Sequence, residues 1–154
     1  MIVFRLSKSK FCKDLSGKGS ELSGGRWNSK GIALIYCSES RALCTTEIAV
    51  HTSLGIVPKD YQMISIEIPD NIKHKEIAVS NLPDNWKSFP PIHFTQSFGD
   101  NFVKEDKYLV LKVPSAVVQG DFNYLINPIH KEFKRVKIIE VKPFYFDSRL
   151  FNKL

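Results

Sequence analysis

Cysteine is scarce in this 154-residue chain: only Cys12, Cys37 and Cys44 are present. An odd, widely spaced set excludes the disulfide framework of a small secreted domain and points to free thiols in a reducing compartment. Long apolar runs are also missing, and none approaches the roughly 20 residues of a membrane span. No block of five or six like charges occurs, as a nucleic-acid-binding arm would need. With 8 Gly and 8 Pro, collagen-like and low-complexity architectures are excluded. Neither a G-x-G-x-x-G nor a Walker A motif is present, so a Rossmann or P-loop nucleotide site has no support. Cys37, Cys44 and His51 stand seven residues apart, a spacing no common zinc site uses, and His74, His93 and His130 add no metal pattern. No internal repeat appears.

What remains is the composition of a soluble globule: 43% hydrophobic and 25% charged residues. The length suits one domain over residues 1–154 and is too short for two well-cored ones. Lys and Arg number 22 against 16 Asp and Glu, a net charge of +6. That mild basic bias favours anionic ligands, including a dinucleotide with its pyrophosphate. The chain opens on a short strand-like segment carrying Arg5, with no secretory signal peptide, so a cytoplasmic location is expected.

Along the chain, Ile2–Leu6 reads as a strand and residues 7–31 as a long glycine-rich loop of the kind usually kept for function. Ile32–Cys37 reads as a buried strand, followed by a helix over 39–53 capped by Ser38. Tyr61–Ile68 alternates as a strand; residues 69–92, with four prolines, read as loop. A short helix is expected around Gln96–Lys104 and a buried strand over Tyr108–Val113. Val136–Val141 and Phe144–Phe146 give a last strand or pair broken by Pro143, which belongs at an edge or bulge. Strands outnumber helices without alternating with them, which indicates α+β architecture.

The densest cluster of functional side chains is Ser23-Gly24-Gly25-Arg26-Trp27-Asn28. Its glycines permit a positive-φ turn and close approach of a ligand. Arg26 offers a planar fork for phosphate or carboxylate. Trp27 suits either stacking on a ring or plugging the core. Tyr36 lies near the end of a buried strand, where sites are often built. On the expected helix, Leu43, Glu47, Val50 and Leu54 share one face, and a carboxylate inside an apolar stripe must be paired or used. Function and a structural salt bridge to Arg5 or Arg26 are even alternatives for Glu47. Ser115 lacks the G-x-S-x-G context of a hydrolase nucleophile and reads as a hydrogen-bonding residue. Asn127-Pro128, taken alone, is a turn.

Together these segments form a recognisable set. The strand with Arg5, LSGKGSELSGGRWNSKG, IALIYCSES, the helix with Glu47, KVPSAVV, NYLINP and the final FYFDSRL resemble the RES domain over essentially the whole chain. The resemblance implies a fold like that of ADP-ribosyltransferases, with mostly antiparallel sheets and flanking helices. It implies a toxin of a toxin–antitoxin pair that destroys NAD⁺ by breaking the nicotinamide–ribose bond, with water or inorganic phosphate as acceptor. No cofactor or metal is expected. Arg26, Tyr36, Glu47 and Ser115 would be catalytic, and Arg5, Arg26, Trp27 and Asn127 would bind substrate. Asn123 lies close enough to Asn127 to be the residue meant. The implied partner is a separate Xre-type antitoxin that occludes the site, with no direct nucleic-acid or membrane contact by this chain. Competing readings are transfer of ADP-ribose to a protein, a basic nucleic-acid-binding module, and an interaction protein in which Glu47 belongs to a buried ion pair.

Overall fold

The computed structural model describes residues 1–152, and residues 153 and 154 lie outside the described part. Seven strands form one sheet: β1 Ile2–Lys8, β2 Ile35–Ser38, β3 Tyr61–Glu67, β4 His74–Glu76, β5 Val110–Pro114, β6 Phe122–Ile126 and β7 Lys137–Phe144. Their spatial order is β4-β5-β6-β2-β1-β3-β7. Every pairing is antiparallel except β4 with β5. Three α-helices accompany the sheet: α1 Lys18–Ser23, α2 Arg41–Val50 and α3 His93–Glu105. The fold is α+β, with one sheet where several were expected.

Both faces of the β5-β6-β2 half are covered, which explains why YLVLKV is apolar without alternation. Leu111, Val113 and Leu125 pack with Trp27, Phe102 and Val103. Their neighbours Val110 and Ile126 turn the other way, into a core with Ile35, Cys37 and Ile64. A third cluster joins Leu6, Met63 and Cys44, so α2 rests on β1 and β3.

The β1–β2 junction is different. β1 pairs with β3 along its whole length but meets β2 at one pair, Phe4 with Ser38. The two strands then part, and the seam between them opens beside α2.

Several boundaries differ from the sequence reading for local reasons. The residue that caps α2 is Ser40, whose Oγ accepts the Leu43 N–H at 3.0 Å; Ser38 is still in the strand. The helix stops at Val50 instead of continuing to residue 53. The long glycine-rich loop contains α1, started by Gly17 with φ +71°. The 69–92 segment contributes β4 as an edge strand, and Phe122–Ile126, given no element from sequence, is strand β6, with the Asn127-Pro128 turn after it. Pro143 lies within a single edge strand, β7, so its missing N–H costs no ladder bond on the open side. No helix among the described residues is long and apolar enough to cross a membrane.

Helix α3 packs directly on backbone. A Cβ added at Gly99 would stand 1.7 Å from the Trp27 carbonyl oxygen. Backbone on both sides leaves nothing flexible to yield. Gly99→Ala is therefore expected to cost about 3 kcal/mol, a drop in Tm of roughly 10 °C, measurable by thermal denaturation. An unchanged Tm would show that α3 does not bear on this turn.

Candidate active site

The site begins with a tight turn. The Gly25 N–H donates to the Asn28 carbonyl at 2.9 Å, leaving Arg26 and Trp27 at the corner. Gly24 supplies the left-handed backbone (φ +69°) before it. Gly25 is needed for closeness, since a Cβ there would lie 2.6 Å from the Tyr36 hydroxyl.

Three residues spaced along one face of α3 hold this turn. Gln96 donates to the Gly25 carbonyl at 3.0 Å, Gly99 makes the close approach, and Asp100 accepts from the Ser29 N–H at 2.9 Å. From the other side, the Tyr36 hydroxyl accepts from the Trp27 N–H at 3.0 Å and donates to Asn28 Oδ1 at 2.6 Å. The fully buried Asn28 completes the network by donating to the Ser20 and Ile32 carbonyls, each at 2.8 Å. Burial pushes the Tyr36 phenol well above its ordinary pKa, so it stays protonated and remains a donor.

Among the described residues, neither of the two arginines beside the cleft forms an ion pair with an acidic side chain. Arg26 Nη1 donates to the Trp86 and Ser88 carbonyls at 2.7 and 3.0 Å. Arg5 Nη1 donates to the Asp14 carbonyl at 2.7 Å. Each guanidinium carries five N–H donors, so most of each fork is left for a ligand. Burial lowers the Arg26 pKa, and the charge of Glu47 partly offsets that; an arginine remains charged regardless.

Glu47 is the opposing charge. Its Oε1 accepts from Ser115 Oγ at 3.0 Å and from Asn123 Nδ2 at 2.7 Å. Ser115 is fixed in turn, because its Oγ also accepts the Val117 and Val118 N–H groups. The salt bridge foreseen as one alternative for Glu47 is absent among the described residues. Neutral donors hold the carboxylate instead. A single charge held this way keeps its field, whereas an ion pair would cancel it.

Arg5, Arg26, Tyr36, Glu47 and Asn123 line one cleft of about 1140 Å³, with Lys87 and Phe89 on its wall. A smaller chamber of about 200 Å³ lies at the β1–β2 seam and shares Arg5, Tyr36, Glu47 and Asn123 with it. Ser115 reaches the site through Glu47.

Two expected substrate-binding residues are buried rather than open to a ligand. Trp27 borders the cleft but is 3% exposed, packed 6.3 Å from both the Trp86 and Phe98 rings, and so is a core residue unavailable for stacking on a ligand. Asn127 is fully buried in its turn, donating to Asp106 and accepting from the Ile129 N–H. Asn123 occupies the position that was to be filled by Asn127. Burial pushes the Cys37 thiol up to about 12 and the Cys44 thiol up to about 11, so neither is a ready nucleophile.

The sequence assigned no part in the site to Asn28, named only as the end of the glycine cluster, to Ser38, read as a helix cap, or to Gln96, Gly99 and Asp100. Gln96, Gly99 and Asp100 share an i, i+3, i+4 spacing that marks one helix face, but nothing in that spacing says the face packs on a turn 70 residues earlier.

Comparison with known proteins places the chain in a family. The RES domain family model matches residues 2–147. The chain is 37% identical over 142 residues to a Sphingobium protein named Prs ADP-ribosylating toxin, covering 91% of this chain and 88% of the relative. It is 33% identical to Toxin Res of Photorhabdus laumondii, covering 97% of both chains. It is 34% identical to Toxin Res of Pseudomonas putida, over 98% of this chain and 100% of that one. In fold it resembles the crystal structure of the M. tuberculosis MbcT–MbcA toxin–antitoxin complex, with TM-score 0.74 at 17% identity, covering 97% of this chain and 86% of that one. The chain belongs to the RES domain family, and with it to the class of toxins for which these relatives are named.

Tyr36→Phe tests the anchoring of the turn. Removal of the hydroxyl leaves the Trp27 N–H and Asn28 Oδ1 without that partner, which is expected to cost about 2 kcal/mol in chemical denaturation. A loss too small to measure would mean that the turn is held by α3 alone.

Proposed function

We propose that this protein is the toxin of a toxin–antitoxin pair and acts by cleaving the nicotinamide–ribose bond of NAD⁺. The observation that carries this reading is the cleft's charge arrangement: one carboxylate held by neutral donors, opposite two arginines that no acid neutralises. The arginines suit the pyrophosphate of a dinucleotide. The carboxylate suits the positive charge that develops on the ribose.

The bond breaks between the pyridinium nitrogen and the ribose anomeric carbon. Its electron pair stays on nitrogen, so nicotinamide leaves neutral and needs no general acid. The ribose is left with oxocarbenium character, as in glycoside hydrolysis. Ionised Glu47, already oriented by Ser115 and Asn123, stabilises that cation without reorganisation. An oxygen of water or inorganic phosphate then bonds to the anomeric carbon, and the acceptor gives up a proton. Arg26 and Arg5 hold the phosphate groups and fix the sugar relative to Glu47.

A second reading keeps the site and changes the acceptor to a protein side chain. It is favoured by the printed name of the 37%-identical relative, an ADP-ribosylating toxin.

A partner that covers the cleft is part of the proposal. Val50 and Phe89 are 55% and 75% exposed, and both lie on the cleft wall. Such an apolar rim around a polar site suits an antitoxin segment, and the structural relative is itself a toxin–antitoxin complex.

The decisive measurement is nicotinamide release from NAD⁺ by purified, partner-free protein, with and without inorganic phosphate. Glu47→Gln keeps shape and fold but is expected to lower kcat by about 10²-fold or more. A stimulated rate with phosphate selects phosphorolysis over hydrolysis. Unchanged turnover in Glu47→Gln would remove Glu47 from the chemistry, and no release by folded wild-type protein would favour protein ADP-ribosylation. Arg26→Ala is expected to raise KM by roughly tenfold or more in the same assay. A normal KM would count against its role as a clamp.

A further inference from the structure

We infer that Ser38 is a positioning residue for the cleft carboxylate, acting through Asn123. The inference rests on the reading of Glu47 as the group that faces the reacting ribose.

Ser38 ends β2 and is 4% exposed. It pairs in register with Asn123 of β6 and, on its other side, with Phe4 of β1. Its Oγ donates to Asn123 Oδ1 at 2.7 Å, and Asn123 Nδ2 donates to Glu47 Oε1 at 2.7 Å. The order of this chain is fixed by chemistry. An ionised carboxylate only accepts, so the Asn123 amide must present its NH₂ to Glu47. Its carbonyl oxygen then points the other way and needs a donor, which Ser38 supplies.

The terminal torsion of asparagine has a broad minimum. Bonded at one end only, the Asn123 amide can swing about that torsion and carry its N–H off the carboxylate. Bonded at both ends, its plane is defined. Ser115, the second donor to Glu47, is fixed in the same way by two backbone N–H groups. Both donors to Oε1 are therefore themselves restrained.

Two alternative roles for Ser38 are not realised. The α2 cap is Ser40. Ser38 lines the small chamber behind Glu47 and is not part of the main cleft wall, so it does not meet a ligand there. Its hydroxyl faces Asn123.

The test is a double-mutant cycle with Ser38→Ala and Asn123→Ala, read by nicotinamide release, beside the Asn123 side-chain amide signal in NMR. That signal is assigned by its loss in Asn123→Ala. Ser38→Ala is expected to lower kcat roughly tenfold while KM stays within about twofold, since the residue orients a reacting group and binds nothing. In the Asn123→Ala background the same change should have no further effect on kcat. A general structural role would instead lower activity in both backgrounds. The Asn123 amide signal should shift in Ser38→Ala. Ser38→Cys keeps a side chain of the same shape, somewhat larger and a poor donor, and under reducing conditions that keep it from pairing with the neighbouring Cys44 it should behave likewise, which keeps the test open if the alanine variant fails to fold. Wild-type kcat in Ser38→Ala, equal losses in both backgrounds, or an unmoved Asn123 amide would each overturn the inference. If wild-type protein releases no nicotinamide, the NAD⁺ reading fails by itself, and the amide signal decides whether Ser38 orients Asn123.

Discussion

Strands β1 and β2 meet at Phe4 and Ser38 and then separate, and the geometry of the site follows from that single pair. A fully zipped sheet would fill the space beside α2 with ladder bonds and apolar side chains. The parted strands leave a seam into which Glu47 and Arg5 project without being buried outright, with Arg26 on the wall of the larger cleft it opens into. Half-burial matters here: full desolvation would make isolated charges prohibitive, and full exposure would let solvent screen them. The seam holds them between these limits, and the small chamber within it is lined by residues of β1, β2, α2 and β6.

Around the seam, charged groups are held by neutral ones. Glu47 is held by a hydroxyl and an amide, and Arg5 and Arg26 by backbone carbonyls. None of these contacts consumes a full opposing charge. Direct ion pairing of Glu47 with Arg26 would have been the simpler way to stabilise both in the apo protein. It would also have filled each group's binding capacity with the other. The observed pattern leaves guanidinium donors and a carboxylate uncommitted in one cleft, the charges that the proposed dinucleotide substrate, with a cationic pyridinium at one end, would complement.

Legibility of this arrangement in the sequence was uneven. β1, β2, β3 and β5 were visible because short apolar runs bounded by turn residues have few other uses. Glu47 was visible because a carboxylate among Leu43 and Val50 breaks an apolar stripe. The stripe is buried at Leu43 and open at Val50, because the helix runs from the core to the cleft mouth. The fate of Trp27 and the choice between Asn123 and Asn127 were not legible. Asn123 is the second residue of β6 and Asn127 follows its last, four residues on, and sequence does not say which neighbours the fold brings to each. β6 itself was hidden by Asn123 and Asn127 at its ends, which look like turn residues until Ser38 and Glu47 are placed opposite. Motif resemblance brought in the candidate set; only the register of β2 on β6 showed which asparagine meets it.

The same register shows why the turn bearing Arg26 and the carboxylate are not independent. Tyr36 and Ser38 are two residues apart on β2, so their side chains leave the strand on the same side. One fastens the Gly25–Asn28 turn through Asn28 and the Trp27 N–H; the other fastens Asn123. The distance between the anion-binding side chain and the carboxylate is thus set by one short strand, whose ends are committed to the two halves of the site. A dinucleotide spanning both must match a spacing that neither Arg26 nor Glu47 determines alone. Under the proposed function, substitutions that shift β2 should therefore alter phosphate binding and bond cleavage together, while substitutions at Arg26 or Glu47 separate them.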